Sequence, residues 1–321
     1  MTAYDVFNGD ADGICALVQL RNAQPKQAEL VTGIKREINL LDKVIANAGD
    51  QLTVLDISFD KNRAAVDRAL AAGAEIFYVD HHFSGDIPKH AKLETHINLS
   101  ANICTSLLVN GYLKAAFPEW AIAGAFGDNL RTSAEALAKS IQLGGADLER
   151  LEKTGIYINY NGYGGHLDDL HFHPAELFKH LVNYANPLDF AQQNCEIFQQ
   201  LEQGYLDDMT KAATLKPEFS NETVAAYVLP HEAWASRVSG VFSNDLANSA
   251  PARGHAVMTE KTNGNYLVSV RAPLKNKTGA DEFCRRFATG GGRAAAAGIN
   301  ELPADQVQHF IAQFQLFYKQ G

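Results

Sequence analysis

Leu52–His82 reads LTVLDISFDKNRAAVDRALAAGAEIFYVDHH. Two short apolar runs, Leu52–Leu55 and Glu75–Val79, each stop at an aspartate, Asp56 and Asp80. Between them Lys61–Ala72 is rich in alanine and other good helix formers, and Gly73 follows where a left-handed helix cap is needed. Strand, helix and strand within ~30 residues make a parallel β–α–β unit. The rhythm extends backwards. Ala3–Phe7 (AYDVF) has strand character and ends in the turn-rich Asn8–Gly13, after which Ile14–Arg21 has helical composition. Glu29–Ile34 is predicted as a strand and Ile38–Ala48 as a helix. Alternating short strands and helices imply a largely parallel sheet with helices on its faces.

Downstream, Ala101–Gly145 reads as helices broken around Gly127. Tyr157–His173 is rich in Asn, Gly, Tyr and His and reads as a loop or irregular insertion. Its Tyr157, Tyr160, Tyr163, His166, His171 and His173 either stack on a base or pack the loop onto its own domain. Pro174–Tyr184 and Pro187–Thr214 return to helix, each with Pro in the first turn. After Lys216-Pro217 the strand–helix alternation restarts. Thr223–Leu229 is a strand, Ala235–Asn248 a helix, and Ala256–Thr259 with Tyr266–Val270 a strand pair around the turn dipeptide Asn263-Gly264. Ala280–Ala288 and Ala304–Lys319 are helices. The expected architecture is α/β: a parallel-sheet domain over 1–186, a helical connector over 187–216, and a smaller mixed α/β domain over 217–321.

The 321 residues are 46% hydrophobic and 20% charged, with a formal net charge of -9, which describes a globular chain. Such an acidic chain repels a long phosphate backbone unless it carries a local basic groove, so small phosphorylated substrates are favoured over long duplexes. Cys15, Cys104, Cys195 and Cys284 are scattered without a CxxC pair, which argues against a zinc knuckle or a disulfide framework. The chain opens on a polar-flanked strand, and no apolar run reaches the ~18 residues of a membrane helix, so a soluble, cytoplasmic protein is expected.

Ligands of open α/β sheets bind at the carboxyl ends of strands. Acidic residues fall at or near such ends in Asn8-Gly9-Asp10-Ala11-Asp12-Gly13, Asp56, Asp80-His81-His82 and Asp128. Each alone has an ordinary explanation: Asp12-Gly13 is a common turn, Asp56 and Asp128 suit helix caps, and a His-His pair is commonplace. The set is specific. Crowded carboxylates repel unless a cation joins them, and oxygen donors with one or two imidazoles suit Mn²⁺ or Mg²⁺.

With these residues in view, the chain resembles the DHH phosphoesterase superfamily. The similarity lies in VFNGDADGICA (Val6–Ala16), VLDISFD (Val54–Asp60), YVDHHFSG (Tyr78–Gly85) and GAFGDN (Gly124–Asn129). In the C-terminal part, VSVRAP (Val268–Pro273) and GGGRAAAAG (Gly290–Gly298) resemble the Ser-x-Arg strand and glycine-rich loop of the DHH-associated domain. The resemblance implies a two-metal phosphoesterase with a hinge helix and an active-site cleft between two domains. Its metal ligands would be Asp10, Asp12, Asp56, His81 and Asp128, with Asp56 bridging two ions, Mn²⁺ in the first instance and Mg²⁺ as the alternative. Asp80 would orient a neighbouring His, and His82 would contact the scissile phosphate or assist the leaving group. Arg271, Gly291, Gly292 and Arg293 would hold the rest of the substrate, the glycines opening a helix start whose dipole favours phosphate.

Two positions depart from the family pattern. Asn8 stands where His or Asp is usual; its amide oxygen is a weaker, uncharged ligand, so the first metal site is expected to be weaker. Arg293 stands where the loop usually has His, and its planar fork suits phosphate. The expected activity is hydrolysis of phosphodiester bonds in dinucleotides or short oligonucleotides, releasing nucleoside monophosphates. The competing readings are a single-strand exonuclease of the RecJ type, a phosphatase or pyrophosphatase on a small molecule, and a non-catalytic nucleotide-binding protein. Monomer and dimer are equally compatible with the sequence.

Overall fold

In the computed structural model, which describes residues 1–192 and 195–319, the first sheet is built on β1 (Ala3–Phe7). β1 pairs in parallel with β2 (Glu29–Val31) on one side and with β3 (Gln51–Leu55) on the other. β4 (Glu75–Asp80) and β5 (Leu93–Ile97) extend the sheet beyond β3, giving the order β2-β1-β3-β4-β5. Phe7 is level with Leu55, and Leu55 with Val79, so the segments after β1, β3 and β4 leave the sheet along one edge. The strand order reverses at β1 and β3, which is where a sheet of this topology opens a crevice for a ligand.

Helix α1 (Ala11–Ala23) is buried on every side from Ala11 to Arg21, as its largely small and apolar sequence requires. It starts inside the segment expected to be a turn, because Asp10 caps it and brings Asp12 and Gly13 into its first turn. α2 (Phe59–Ala71) is amphipathic, capped by Ser58 rather than Asp56, and lays Val66 and Leu70 against Val54, Ile76 and Tyr78 of the sheet. α3 (Thr105–Tyr112), α4 (Pro118–Gly127), α5 (Arg131–Ser140) and α6 (Gly145–Gly162) come next in the chain. α4 and α6 meet almost backbone to backbone: a Cβ on Gly155 would lie 2.0 Å from the Ala123 carbonyl oxygen. α7 (Pro174–Leu181), α8 (Pro187–Gln192) and α9 (Glu196–Ala213) complete the helical run. The helix expected over Pro187–Thr214 is thus two helices, and 193–194 lie outside the described residues.

Other expectations give way to tertiary contacts. Ile38–Ala48 forms only a 3₁₀ turn at Leu40–Lys43. The Asn62 side chain accepts from the Leu41 N–H and donates to the Ile38 carbonyl, taking the place of helical bonds. β5 escapes a reading of the sequence because LETHI has no fully buried residue. The stretch from Tyr157, expected to be an insertion, is helical as far as Gly162. Beyond it, Asn161 ties the returning chain to its own helix through two bonds with the Phe172 backbone.

The chain divides into two compact units, Met1–Gln203 and Gly204–Gly321. The second unit carries a six-stranded sheet of β6 (Phe219–Ser220), β7 (Val224–Leu229), β8 (Gly254–Glu260), β9 (Tyr266–Arg271), β10 (Gly290–Gly292) and β11 (Ala296–Leu302), in the order β10-β11-β9-β8-β7-β6. Among these strands only the β7–β8 pair is parallel. α10 (Ala233–Ser249), α11 (Ala280–Cys284) and α12 (Val307–Lys319) complete it, and Phe283, Phe310 and Phe314 fill its core. No helix among the described residues is long and apolar enough to cross a membrane.

Candidate metal centre

The edge where β1, β3 and β4 end gathers the candidate acids Asp10, Asp12, Asp56, Asp80 and Asp128. Asp10 is the N-cap of α1, its Oδ1 accepting from the Gly13 N–H at 3.1 Å. Asp12, in the first turn of α1, accepts through its two oxygens from the backbone N–H groups of Thr105 and Ser106, both at 2.7 Å. Those two groups open α3, so the positive end of that helix faces the carboxylate. The Thr105 hydroxyl also donates to Asp56 Oδ1 at 3.0 Å. Asp56 itself sits at φ +60, a left-handed backbone that costs a residue with a side chain ~1 kcal/mol or more. Asp128 terminates α4, and the following Asn129 takes φ +59.

The two histidines are held differently. His81 Nδ1 lies 2.9 Å from the Ile103 carbonyl, which can only accept, so Nδ1 carries the proton. Its Nε2 is turned to Asp56 Oδ1 at 3.3 Å, Asp12 Oδ2 at 3.7 Å and Asp128 Oδ2 at 3.9 Å. His82 Nδ1 is bonded to Asp80 Oδ1 at 2.8 Å. Asp80 is wholly buried, whereas the His82 side chain is 34% exposed. One ligand atom from each of Asp56, His81 and His82 falls within 4.8 Å of the others. His82 Nδ1 is already committed to Asp80, leaving Nε2 as its other ring donor.

Lys35, which no sequence pattern marks, stands among these acids. Its Nζ is paired with Asp10 Oδ2, lies 3.1 Å from Asn159 Oδ1 and 3.8 Å from Asp128 Oδ1, and sits over the Tyr163 ring. Its backbone is pinned too: the Lys35 N–H donates to the Gly162 carbonyl at 2.8 Å, and its own carbonyl accepts from Asn8 Nδ2 at 3.2 Å. Asn8 is 4% exposed, and its Oδ1 has no hydrogen-bond partner among the described residues.

The electrostatics divide accordingly. Burial, then the neighbouring Asp12, Asp10, Asp128 and Asp80 charges, push the Asp56 carboxyl well above its usual range. Burial acts the same way on Asp10, but attraction and hydrogen bonding to Lys35 outweigh it and hold Asp10 below the ordinary value. Burial would lower the Lys35 ammonium; Asp10, Tyr163 and Asp128 overcome this and raise it. Asp56 is therefore the carboxylate most in need of a cation, and Asp10 already has one.

Asn8, Asp10, Asp12, Asp56, Asp80, His81, His82 and Asp128 all lie in the first unit. Arg271, Gly291, Gly292 and Arg293 lie in the second. There the glycine-rich stretch is not the expected helix start. Arg293 and Ala296 exchange backbone hydrogen bonds around Ala294-Ala295, so the stretch is a tight β10–β11 hairpin. Gly292 takes φ +141 and pairs with Ala297, leaving no space for a Cβ, which would stand 2.5 Å from Ala297 Cα. Arg271 ends β9 opposite Ala296, and its Nε donates to Asn244 Oδ1 at 2.7 Å. The aromatic-rich stretch packs on its own unit: Tyr160 is buried with its hydroxyl 2.8 Å from His171 Nε2, and Tyr157 packs on Phe198.

No family model and no curated protein matches the sequence. Solved structures do. RecJ of Thermus thermophilus in complex with Mn²⁺ is similar over 100% of this chain and 52% of its own, with TM-score 0.66 and 17% identity. An exonuclease RecJ bound to manganese matches over 100% of this chain and 90% of its own, with TM-score 0.61 and 16% identity. The pGpG-specific phosphodiesterase PggH of Vibrio cholerae matches over 100% of both chains, with TM-score 0.57 and 14% identity. The chain shares the fold of these structures. The chain spans about half the length of the Thermus RecJ. In this fold the triplet Asp80-His81-His82 begins on the last residue of β4, which sends His81 toward the acids and leaves His82 at the rim.

Proposed function

We propose that the chain is a divalent-ion-dependent phosphodiesterase acting on dinucleotides and short oligonucleotides and releasing nucleoside monophosphates. The convergence of Asp12, Asp56 and Asp128 on His81 Nε2 carries this reading. Oxygen donors with one imidazole fit Mn²⁺, or Mg²⁺ as the alternative, and the solved RecJ structures of this fold hold manganese. A bound ion supplies an activated water and neutralises charge on the phosphate. The chain's own residues do the rest. The Ile103 carbonyl fixes the His81 tautomer so that Nε2 is the ligating atom. Asp80 holds His82 through Nδ1 and so leaves Nε2 to face the leaving oxygen, where it would act as the proton donor.

The test is a panel of labelled dinucleotides, longer oligomers and pyrophosphate, assayed with Mn²⁺, with Mg²⁺ and after exhaustive chelation. Activity should appear only with an added ion, Mn²⁺ being best; full activity in the chelated protein would remove the metal from the mechanism. Pyrophosphate turnover without phosphodiester cleavage would shift the assignment to a small-molecule phosphatase.

Metal should also be visible in stability. The Asp56 pKa is raised in the folded metal-free chain, so the folded state keeps a proton that the unfolded state loses above about pH 4. Metal-free stability therefore falls as pH rises from there toward the raised value. An ion that displaces this proton stabilises more as pH rises. At a hundredfold excess over Kd, Mn²⁺ should raise Tm by roughly 5–10 °C, with a gap to the chelated sample that widens from about pH 5 to about pH 8. Melting curves across that range check it; a gap independent of pH would contradict the role given to Asp56.

Arg271 and Arg293 are assigned to the substrate's distal part. Arg271→Ala should raise KM for a dinucleotide about tenfold with kcat little changed, as expected for one lost charge-assisted contact that acts in binding alone. Steady-state kinetics decide this, and an unchanged KM would detach Arg271 from the substrate.

A further inference from the structure

We propose that the Lys35 ammonium is a built-in cation that replaces one of the two ions implied by the DHH resemblance, so that the centre binds a single divalent ion among Asp12, Asp56, His81 and Asp128. This rests on the metal-dependent reading above and deepens it.

Three observations meet here. First, the donors separate into two groups. Oxygens of Asp12, Asp56 and Asp128 lie 3.3 to 3.9 Å from His81 Nε2. Asp10 is turned instead to Lys35, whose Nζ also faces Asn159 Oδ1 at 3.1 Å and Asp128 Oδ1 at 3.8 Å. An ammonium has three N–H donors, and three oxygen acceptors are arranged around this one.

Second, Lys35 is held as a ligand-bearing residue is held. Its backbone N–H and carbonyl are bonded to Gly162 and to the Asn8 side chain. Third, Asn8 is spent on this anchorage. It stands where the family usually has His or Asp, and its side-chain Nδ2 donates to the Lys35 carbonyl. Its buried Oδ1, without a partner among the described residues, is a neutral donor that would serve an ion poorly. The uncharged residue at position 8 and the cation at position 35 thus form one arrangement. A second divalent ion beside the ammonium would set like charges together in a buried site.

Lys35 thereby does the electrostatic work of an ion without the exchange, neutralising Asp10. It is a positioning residue for the acids around it.

The experiment measures stoichiometry on the full chain. Protein stripped by chelation is dialysed against excess MnCl₂, and bound Mn²⁺ is counted by elemental analysis and titration calorimetry. Electron paramagnetic resonance then reads whether the ions are isolated or coupled. Wild type should hold one Mn²⁺ per chain with the spectrum of an isolated ion. Lys35→Arg should keep one. Lys35→Ala combined with Asn8→His should hold two and show an exchange-coupled pair. Two ions in wild type would overturn the proposal while leaving the metal-dependent reading intact; no bound ion would overturn both. If the double variant does not fold, the wild-type count and the Lys35→Arg spectrum still decide.

Discussion

Asp56→Asn is expected to lower kcat for phosphodiester hydrolysis by roughly 10³-fold or more, while the metal-free variant is at least as stable as wild type. The two halves of this result have one origin. Asp56 is buried among carboxylates that raise its pKa, so in the absence of an ion its charge is a destabilising feature. Asn keeps the shape and the oxygen that accepts from Thr105, and it tolerates the left-handed backbone at φ +60 better than most residues. It removes only the charge. A residue retained for packing would behave in the opposite way, with lower stability and intact turnover. Measuring kcat under saturating Mn²⁺ and Tm under chelation separates these cases. A near-wild-type rate would take Asp56 out of the site.

The second large effect concerns substrate length. kcat/KM for a dinucleotide should exceed that for a long single strand by about a hundredfold at matched salt. The formal net charge is -9, and a polymer gains affinity in proportion to the phosphates that the protein neutralises. Lys35, the cation that stands among the acids, offers no such track, because it is already bound to Asp10. What remains for recognition is the scissile phosphate and the groups assigned to Arg271 and Arg293. On the proposed assignment a short substrate would use all of these, and a long one would add only repulsion. Equal or higher efficiency on the long strand would move the chain to the single-strand exonuclease reading.

Asp56 and Asp80 are legible in the sequence because each sits at a strand end, where an apolar run stops abruptly and the topology of a parallel sheet fixes the direction in which the chain leaves, whereas Asp128, expected near such an end, closes helix α4 instead. β3 and β4 appear as VL before Asp56 and YV before Asp80, and the fold brings them side by side. Lys35 is not legible. It lies in an irregular segment beyond β2, and its role exists only because Asn8, Asp10, Asp128 and Asn159 arrive from elsewhere in the chain. Asn159 is hidden for a different reason: the Asn, Gly and Tyr composition around it suggests a loop, but packing on α4 keeps it helical. The alanines after Gly290–Gly292 mislead in the other direction. Their helical preference is overruled by pairing with β9, where Ala297 stands opposite Val270 and Ile299 opposite Val268.

The crossing of α4 and α6 at Gly155 has a mechanical consequence. Asp128 hangs from the end of α4 and Asn159 from α6, one turn beyond Gly155. With Gly155 against the Ala123 carbonyl, neither helix can slide without driving the other, so both side chains are carried on one stiff strut. A methyl group at position 155 touches no charged residue, yet it wedges the strut open and spreads the acceptors around Lys35. Such a change would surface as a faster metal off-rate in a protein whose ligands are all intact, and a screen for altered ion exchange would find it far from any residue that binds the ion.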